Sequence, residues 1–249
     1  MDRTQLGVAT LAHRVASPPE PLHGMPGALV FRSDVLCPWA TVALIRLRRA
    51  RAELGLCEQT LPIVHLAHSL ELRFRAPIMR RIMDAEVVVC AAAEPEFGWS
   101  PWFGPLDEFP ISSLLALEAV QAARMQSETA AEQLDLELRR AFFVRSRCIT
   151  MRHEVLAAAR SCNLDVDALG EVLDAGVARP AVLRQSREGQ CSGIVVLPDG
   201  SEHCNPGVHT DWIGTKLPQV VPRVVRDDPT FVRELVATAA GRLIRGEAP

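Results

Sequence analysis

Cys37-Pro38-Trp39-Ala40 follows a short apolar run, Ala28-Leu29-Val30-Phe31, and opens an amphipathic helix. Ala40, Ala43, Leu44, Leu47, Ala50 and Leu54 recur at helical spacing, Arg46, Arg49 and Glu53 take the other side, and Gly55 supplies a stop. A cysteine just before a helix start lies where unpaired backbone N–H groups and the positive end of the helix dipole favour a thiolate. Pro38 suits the first helical position, because its φ is preset and its missing N–H would have had no partner. The position three after Cys37 is Ala40, so the turn offers one thiol and no neighbouring second sulfur.

Leu61 to Leu66 reads as a second strand, starting after Pro62, and with the first strand and its helix makes a βαβ unit. Five prolines between residues 67 and 110 leave a short helix near Ile78–Val88 and an aromatic loop holding Trp99, Trp102, Phe103 and Phe109. From Ser112 to Arg187 the pattern is helical. Thr129 and Glu132 have the spacing of a capping box, Thr150 and Asp165 are further cap candidates, and Gly176 is a stop. Ile194-Val195-Val196-Leu197, the turn Pro198-Asp199-Gly200 and Ser201–Cys204 read as a hairpin, and a last helix runs from Asp228 to Arg245. The expected fold is α/β, a small sheet domain (28–70 and 190–249) interrupted by an all-helical insertion (71–189). A proline-rich extended arm (1–27) precedes it.

Hydrophobic residues make up 48% of the 249, enough for a sizeable core. A net charge of −3 argues against nucleic acid or an anionic membrane surface as partner, and no segment has the length of a bilayer span. The N-terminus lacks the apolar core of a secretory signal, and seven irregularly spaced cysteines fit reduced thiols, so a cytoplasmic setting is expected. Lys216 is the only lysine, a bias associated with GC-rich bacterial genomes. The run Arg46, Arg48, Arg49, Arg51 is expected to be the solvated face of one helix.

The chain resembles the DsbA-like thioredoxin superfamily, specifically its FrnE-type actinobacterial branch. The resemblance rests on Ser33-Asp34-Val35-Leu36-Cys37-Pro38-Trp39-Ala40, Ser112-Ser113, Arg139-Arg140-Ala141-Phe142-Phe143, Leu197-Pro198-Asp199-Gly200 and Asn205-Pro206-Gly207, in order over residues 28–240. It implies a thioredoxin-like fold with the helical insertion and Cys37 as the catalytic sulfur. Cousins that bind a thiol cofactor are 2-hydroxychromene-2-carboxylate isomerases and kappa-class glutathione transferases. Two family hallmarks are changed. Ala40 replaces the resolving cysteine, and Cys191-Ser192-Gly193 puts glycine where the family has a cis-proline facing the sulfur. Because a cis bond before a non-proline residue costs about 2.5–4 kcal/mol, a trans bond and a reshaped loop are expected before Gly193.

Cys37 is therefore the expected nucleophile and the most reactive of the seven cysteines, against the alternative of a buried thiol acting as a small hydrophobe. Pro38, Trp39 and Ala40 flank it. Ser192 and Gly193 face it from the matching loop, with either Cys191 or Ser192 pointing at the sulfur. Trp99 and Trp102 sit at the domain junction, where apolar pockets form. His65 and His68 read as solvated loop histidines, Cys57, Cys90, Cys148 and Cys162 as structural, and the group His203, Cys204, His209 lacks the pairing of a zinc site. No metal and no tightly bound cofactor is expected. Mycothiol or glutathione is the candidate second thiol, a small molecule the candidate substrate, and a homodimer the candidate assembly. The function expected is thiol-dependent oxidoreductase, isomerase or transferase chemistry, with secondary-metabolite biosynthesis as the setting. The alternative is a catalytically degenerate thioredoxin-fold binding protein.

Overall fold

Leu29–Ser33 and Ile63–Ala67 form strands β1 and β2, and every residue in both is buried. They pair in parallel, Leu29 opposite Ile63 through Ser33 opposite Ala67, with helix α1 (Pro38–Glu53) as the crossover. Strands covered on both faces carry near-continuous apolar runs, as these do. The computed structural model describes residues 27–188, 192–197, 199–204, 208–213, 221–227 and 229–245. Strand β3 (Ile194–Val196) runs antiparallel to β1, and β4 (Glu202–Cys204) antiparallel to β3, giving the order β2-β1-β3-β4. The N-terminal arm, Cys191 and Asn205-Pro206-Gly207 lie outside the described residues.

Among the described residues seven α-helices lie between β2 and β3: α2 (Leu70–Phe74), α3 (Arg80–Ala93), α4 (Leu114–Arg124), α5 (Glu128–Phe143), α6 (Arg152–Ser161), α7 (Val166–Asp174) and α8 (Arg179–Glu188). Helix α9 (Pro229–Arg245) closes the chain. Asp165 caps α7 through Ala168 N–H at 3.0 Å, as expected. The capping box is not formed. Ser127 caps α5 instead, accepting from Ala130 N–H, because the helix starts one residue before Thr129. Helix α6 follows Met151 with no side-chain cap, so Thr150 does not serve there. Strands β5 (Val208–Ile213) and β6 (Val221–Asp227), a separate antiparallel pair, are absent from the sequence reading. Pro222 within β6 is the kind of residue that argues against a strand when only sequence is seen.

One face of the sheet, with Leu29, Phe31, Ile63, Val195 and Leu197, packs with Leu44 and Leu47 of α1 and Val232 and Val236 of α9. The other face carries Val30, Val64, Leu66, Ile194 and Val196. A third apolar cluster belongs to the insertion (Leu117, Leu134, Leu138, Phe142, Leu169) and reaches into the sheet domain at Val35, Leu36 and Ala67. Truncating a fully buried leucine such as Leu134 to alanine should cost about 2–5 kcal/mol.

The arginine run of α1 is not a solvated face. Arg46 and Arg51 are both buried, Arg46 pairing with buried Glu94 at 2.7 Å and Arg51 with buried Glu132 at 2.5 Å. Arg48 also pairs with Glu132, and Arg49 with Glu94 at 2.5 Å. Each inserted carboxylate receives two guanidinium groups from α1, so these charges clamp the insertion to the sheet domain. The reversal comes from partners distant in sequence. A charge run reads as solvated only while nothing opposite it is known.

Candidate active site

Helix α1 begins at Cys37, whose extended backbone (φ −87°, ψ 112°) makes it the N-cap residue. Its Sγ accepts Ala40 N–H at 3.4 Å, and its carbonyl accepts both Thr41 N–H and the Thr41 hydroxyl. Upstream, Cys37 N–H donates to Asp34 O at 3.1 Å, closing the turn between β1 and α1. The position matches the sequence reading, but the thiolate does not. Burial pushes the thiol up to about 11, because only 6% of the residue is exposed and desolvation outweighs the Ser192 and Ala40 hydrogen bonds that pull the other way. Among the described free cysteines, the one best suited to react in the resting protein is Cys57, exposed and held below its ordinary value by hydrogen bonds from Thr60.

Ser192 supplies the facing loop. Its hydroxyl accepts Asp34 N–H at 2.9 Å and hydrogen-bonds the Cys37 sulfur. Gly193 donates its N–H to Arg32 O at 2.9 Å and has φ +91°, a conformation that a side chain would strain. The loop therefore has a shape that proline, with φ fixed near −65°, cannot take.

Beneath the turn lies a buried polar network. Asp34 is fully buried, and its carboxylate accepts Leu36 N–H (2.8 Å), Leu70 N–H (2.7 Å) and the Ser113 hydroxyl (2.8 Å). Burial pushes its acid up to about 6 in spite of these donors. Arg139, fully buried on α5, pairs with Asp135 at 2.6 Å and donates to Asp34 O, Ser33 Oγ and Thr41 Oγ1. His65 Nδ1 lies 3.5 Å from Asp135 Oδ1. Both His65 and His68 are buried, not solvated, because helices α5 and α8 of the insertion pack over β2, although it is the terminal strand of the sheet.

On the other side of Cys37 stands α3. Trp39 hydrogen-bonds Glu86, whose carboxyl is pushed up to about 7 by desolvation and lies close enough for its charge to raise the Cys37 thiol. Cys90, one turn on, is buried in the same apolar cluster as Cys37, and burial and the Cys37 charge raise its thiol too. Neither residue figures in the sequence reading of the site. An i, i+4 Glu/Cys pair on a helix gives no signal until the helix is docked. Trp99 packs against this cluster, with its indole N–H on Glu94 O and its ring 4.9 Å from Phe143. Trp102 does not join the site. It is buried in the core of the insertion against Phe109 and Phe142, its N–H on Pro105 O. Five cysteines (37, 57, 90, 148 and 162) are free, whereas Cys204 is disulfide-bonded, against the expectation of reduced thiols throughout.

The overall arrangement of strands and helices recurs among solved structures. The cytosolic disulfide reductase DsbM from Pseudomonas aeruginosa superposes with a TM-score of 0.56 at 18% identity, over 88% of this chain and 100% of that one. The fold is thioredoxin-like, with a helical insertion. A probable DsbA oxidoreductase from Streptomyces coelicolor gives 0.57 at 13% identity, over 89% of this chain and 92% of that one. A 2-hydroxychromene-2-carboxylate isomerase gives 0.50 at 16% identity, over 71% and 87%. No family model and no curated protein matches the sequence. At these identities the likeness establishes the architecture.

Proposed function

We propose that this chain is a thiol-dependent enzyme in which Cys37 is the sole nucleophile, working with a low-molecular-weight thiol such as glutathione or mycothiol on a small molecule. The observation that carries it is the setting of the sulfur: at a helix start, hydrogen-bonded by Ala40 N–H and Ser192, and facing a glycine loop. With its thiol near 11, only ~10⁻⁴ of Cys37 is thiolate at pH 7, so attack needs a proton acceptor beside it. We assign that role to Glu86, whose charge acts on Cys37 and whose carboxyl burial pushes up to about 7. The thiolate then attacks one sulfur of a small disulfide. A mixed disulfide forms on Cys37 and one small thiolate leaves, and a second small thiol attacks the mixed disulfide to restore Cys37. A FrnE-type role in cytoplasmic secondary-metabolite tailoring is part of this proposal.

A second reading, isomerisation or transfer with bound thiol in the manner of the chromene-carboxylate isomerase, is favoured by that neighbour's fold and by the missing second sulfur at Ala40. A third, a binding protein without chemistry, is favoured by the buried, protonated state of Cys37.

The deciding experiment uses a Cys57→Ser background, which removes the exposed thiol. Incubated with glutathione disulfide at pH 8, the protein should gain one adduct, mapped to Cys37 by mass spectrometry and slowed about tenfold or more by Glu86→Gln. Insulin reduction should show little turnover, and Ala40→Cys should raise it. No adduct at Cys37 would favour the binding-protein reading.

A further inference from the structure

Arg32 faces Leu66 across β1–β2 and Ile194 across β1–β3, which places its side chain on the Val30, Leu66, Ile194 face of the sheet. His68 lies two residues beyond Leu66, its N–H on Ser33 O at 3.0 Å. Both residues are buried, at 2% and 0% exposure. Yet among the described residues Arg32 Nε and both ring nitrogens of His68 have no hydrogen-bond partner. Buried donors left unpaired cost free energy, and native structures rarely keep several together without a ligand or water that meets them. Among the described residues, the carboxylate paired with Arg32 is Glu202, at 3.9 Å and half-exposed. That distance is long for a charge-assisted hydrogen bond.

Placement adds a second argument. Ligands of open α/β sheets bind beyond the carboxyl ends of the parallel strands. The carboxyl end of β1 leads through Asp34 to Cys37, and that of β2 leads to His68. Gly193, from the loop facing the sulfur, hydrogen-bonds Arg32 itself.

We propose that Arg32 and His68 form an oxyanion-binding subsite at the carboxyl ends of β1 and β2, on the sheet face opposite the Cys37 cluster, taking a carboxylate or phosphate of a small ligand. Glu202 holds the place loosely in the free protein and gives way when the ligand's oxygens arrive. Neutral imidazole has one donor and one acceptor, and imidazolium two donors, so anion binding draws a proton onto His68. The free state keeps that proton off. Burial and the nearby Arg32 and Arg73 charges hold His68 down at about 4, with Glu202 the carboxylate at the rim. The ligand's negative charge reverses the balance.

The test follows the His68 ring nitrogens by NMR in the full chain, titrated with S-methylglutathione, which carries carboxylates and no free thiol, and separately with inorganic phosphate. Either anion should raise the apparent pKa of His68 by about one unit or more at saturation. Arg32→Gln should weaken the effective anion about tenfold or more, and Glu202→Gln should tighten it. Response to S-methylglutathione assigns a carboxylate ligand, response to phosphate a phosphorylated one. A His68 signal unmoved by either anion at high millimolar concentration overturns the proposal, and so does unchanged affinity in a folded Arg32→Gln. The same titration on Cys37→Ser separates the two claims, because anion binding there stands or falls without any thiol chemistry.

Discussion

A cysteine at a helix N-terminus is usually read as activated, and Cys37 shows where that inference stops. The dipole and two hydrogen bonds act on the sulfur, but the apolar cluster around it acts more strongly. In the resting protein at pH 7, brief alkylation should therefore label Cys57 before Cys37. Peptide mapping at short times checks this, and the Cys37 rate should keep rising up to about pH 11. First labelling of Cys37 at neutral pH would mean that the sulfur is more solvated than its burial implies. The location of Cys37 was legible because the Cys-Pro step and its flanking periodicities are local. Its protonation was not, since it depends on Glu86 and on packing that the sequence places some 50 residues away.

Among the elements, α5 joins the two parts of the molecule. Its Arg139 reaches out of the insertion to the end of β1 and the first turn of α1, through Ser33, Asp34 and Thr41. Replacing it with methionine keeps the bulk but strands the buried Asp135 charge, which Arg139 holds well below the usual carboxylate range. Arg139→Met should destabilise by about 3–5 kcal/mol, measured by urea unfolding. A loss under 1 kcal/mol would show that His65 alone satisfies Asp135. The helices were readable from their 3.6-residue periods, and their ends less so, as Ser127 in place of Thr129 shows. The β5–β6 pair was hidden by Pro222 and by the polar residues of Val208–Ile213. The arginine clamp was hidden because Glu132 belongs to α5 and Glu94 to the end of α3, both distant in sequence from α1.

At the scale of the whole molecule, two buried groups give stability opposite dependences on pH. Asp34 has a folded pKa of about 6, above its unfolded 3.8, so the native state holds the extra proton and stability falls as pH rises through that window, by about 3 kcal/mol. His68, near 4 when folded and 6.5 when unfolded, does the reverse: the unfolded chain takes up the proton first, and stability falls as pH drops from 6.5 to 4. Glu86, pushed up to about 7 by burial, acts in the same sense as Asp34, so both variants are read against the wild-type curve. Relative to the wild type, Asp34→Asn should lose stability on acidification from pH 6 to 4, and His68→Gln should gain it, as read by thermal melting against pH. Parallel curves for the two variants would refute the assignment. Asp34 also has a kinetic meaning. Its N–H meets Ser192 across 158 residues of chain, while its carboxylate holds Leu70 and Ser113 on the way. Closing so long a loop directly would be slow, because the ordering cost precedes the reward of β1–β3 pairing. The insertion, rich in local contacts, can collapse first and carry the distant strand back to β1, so Asp34 marks where the nascent chain is gathered in.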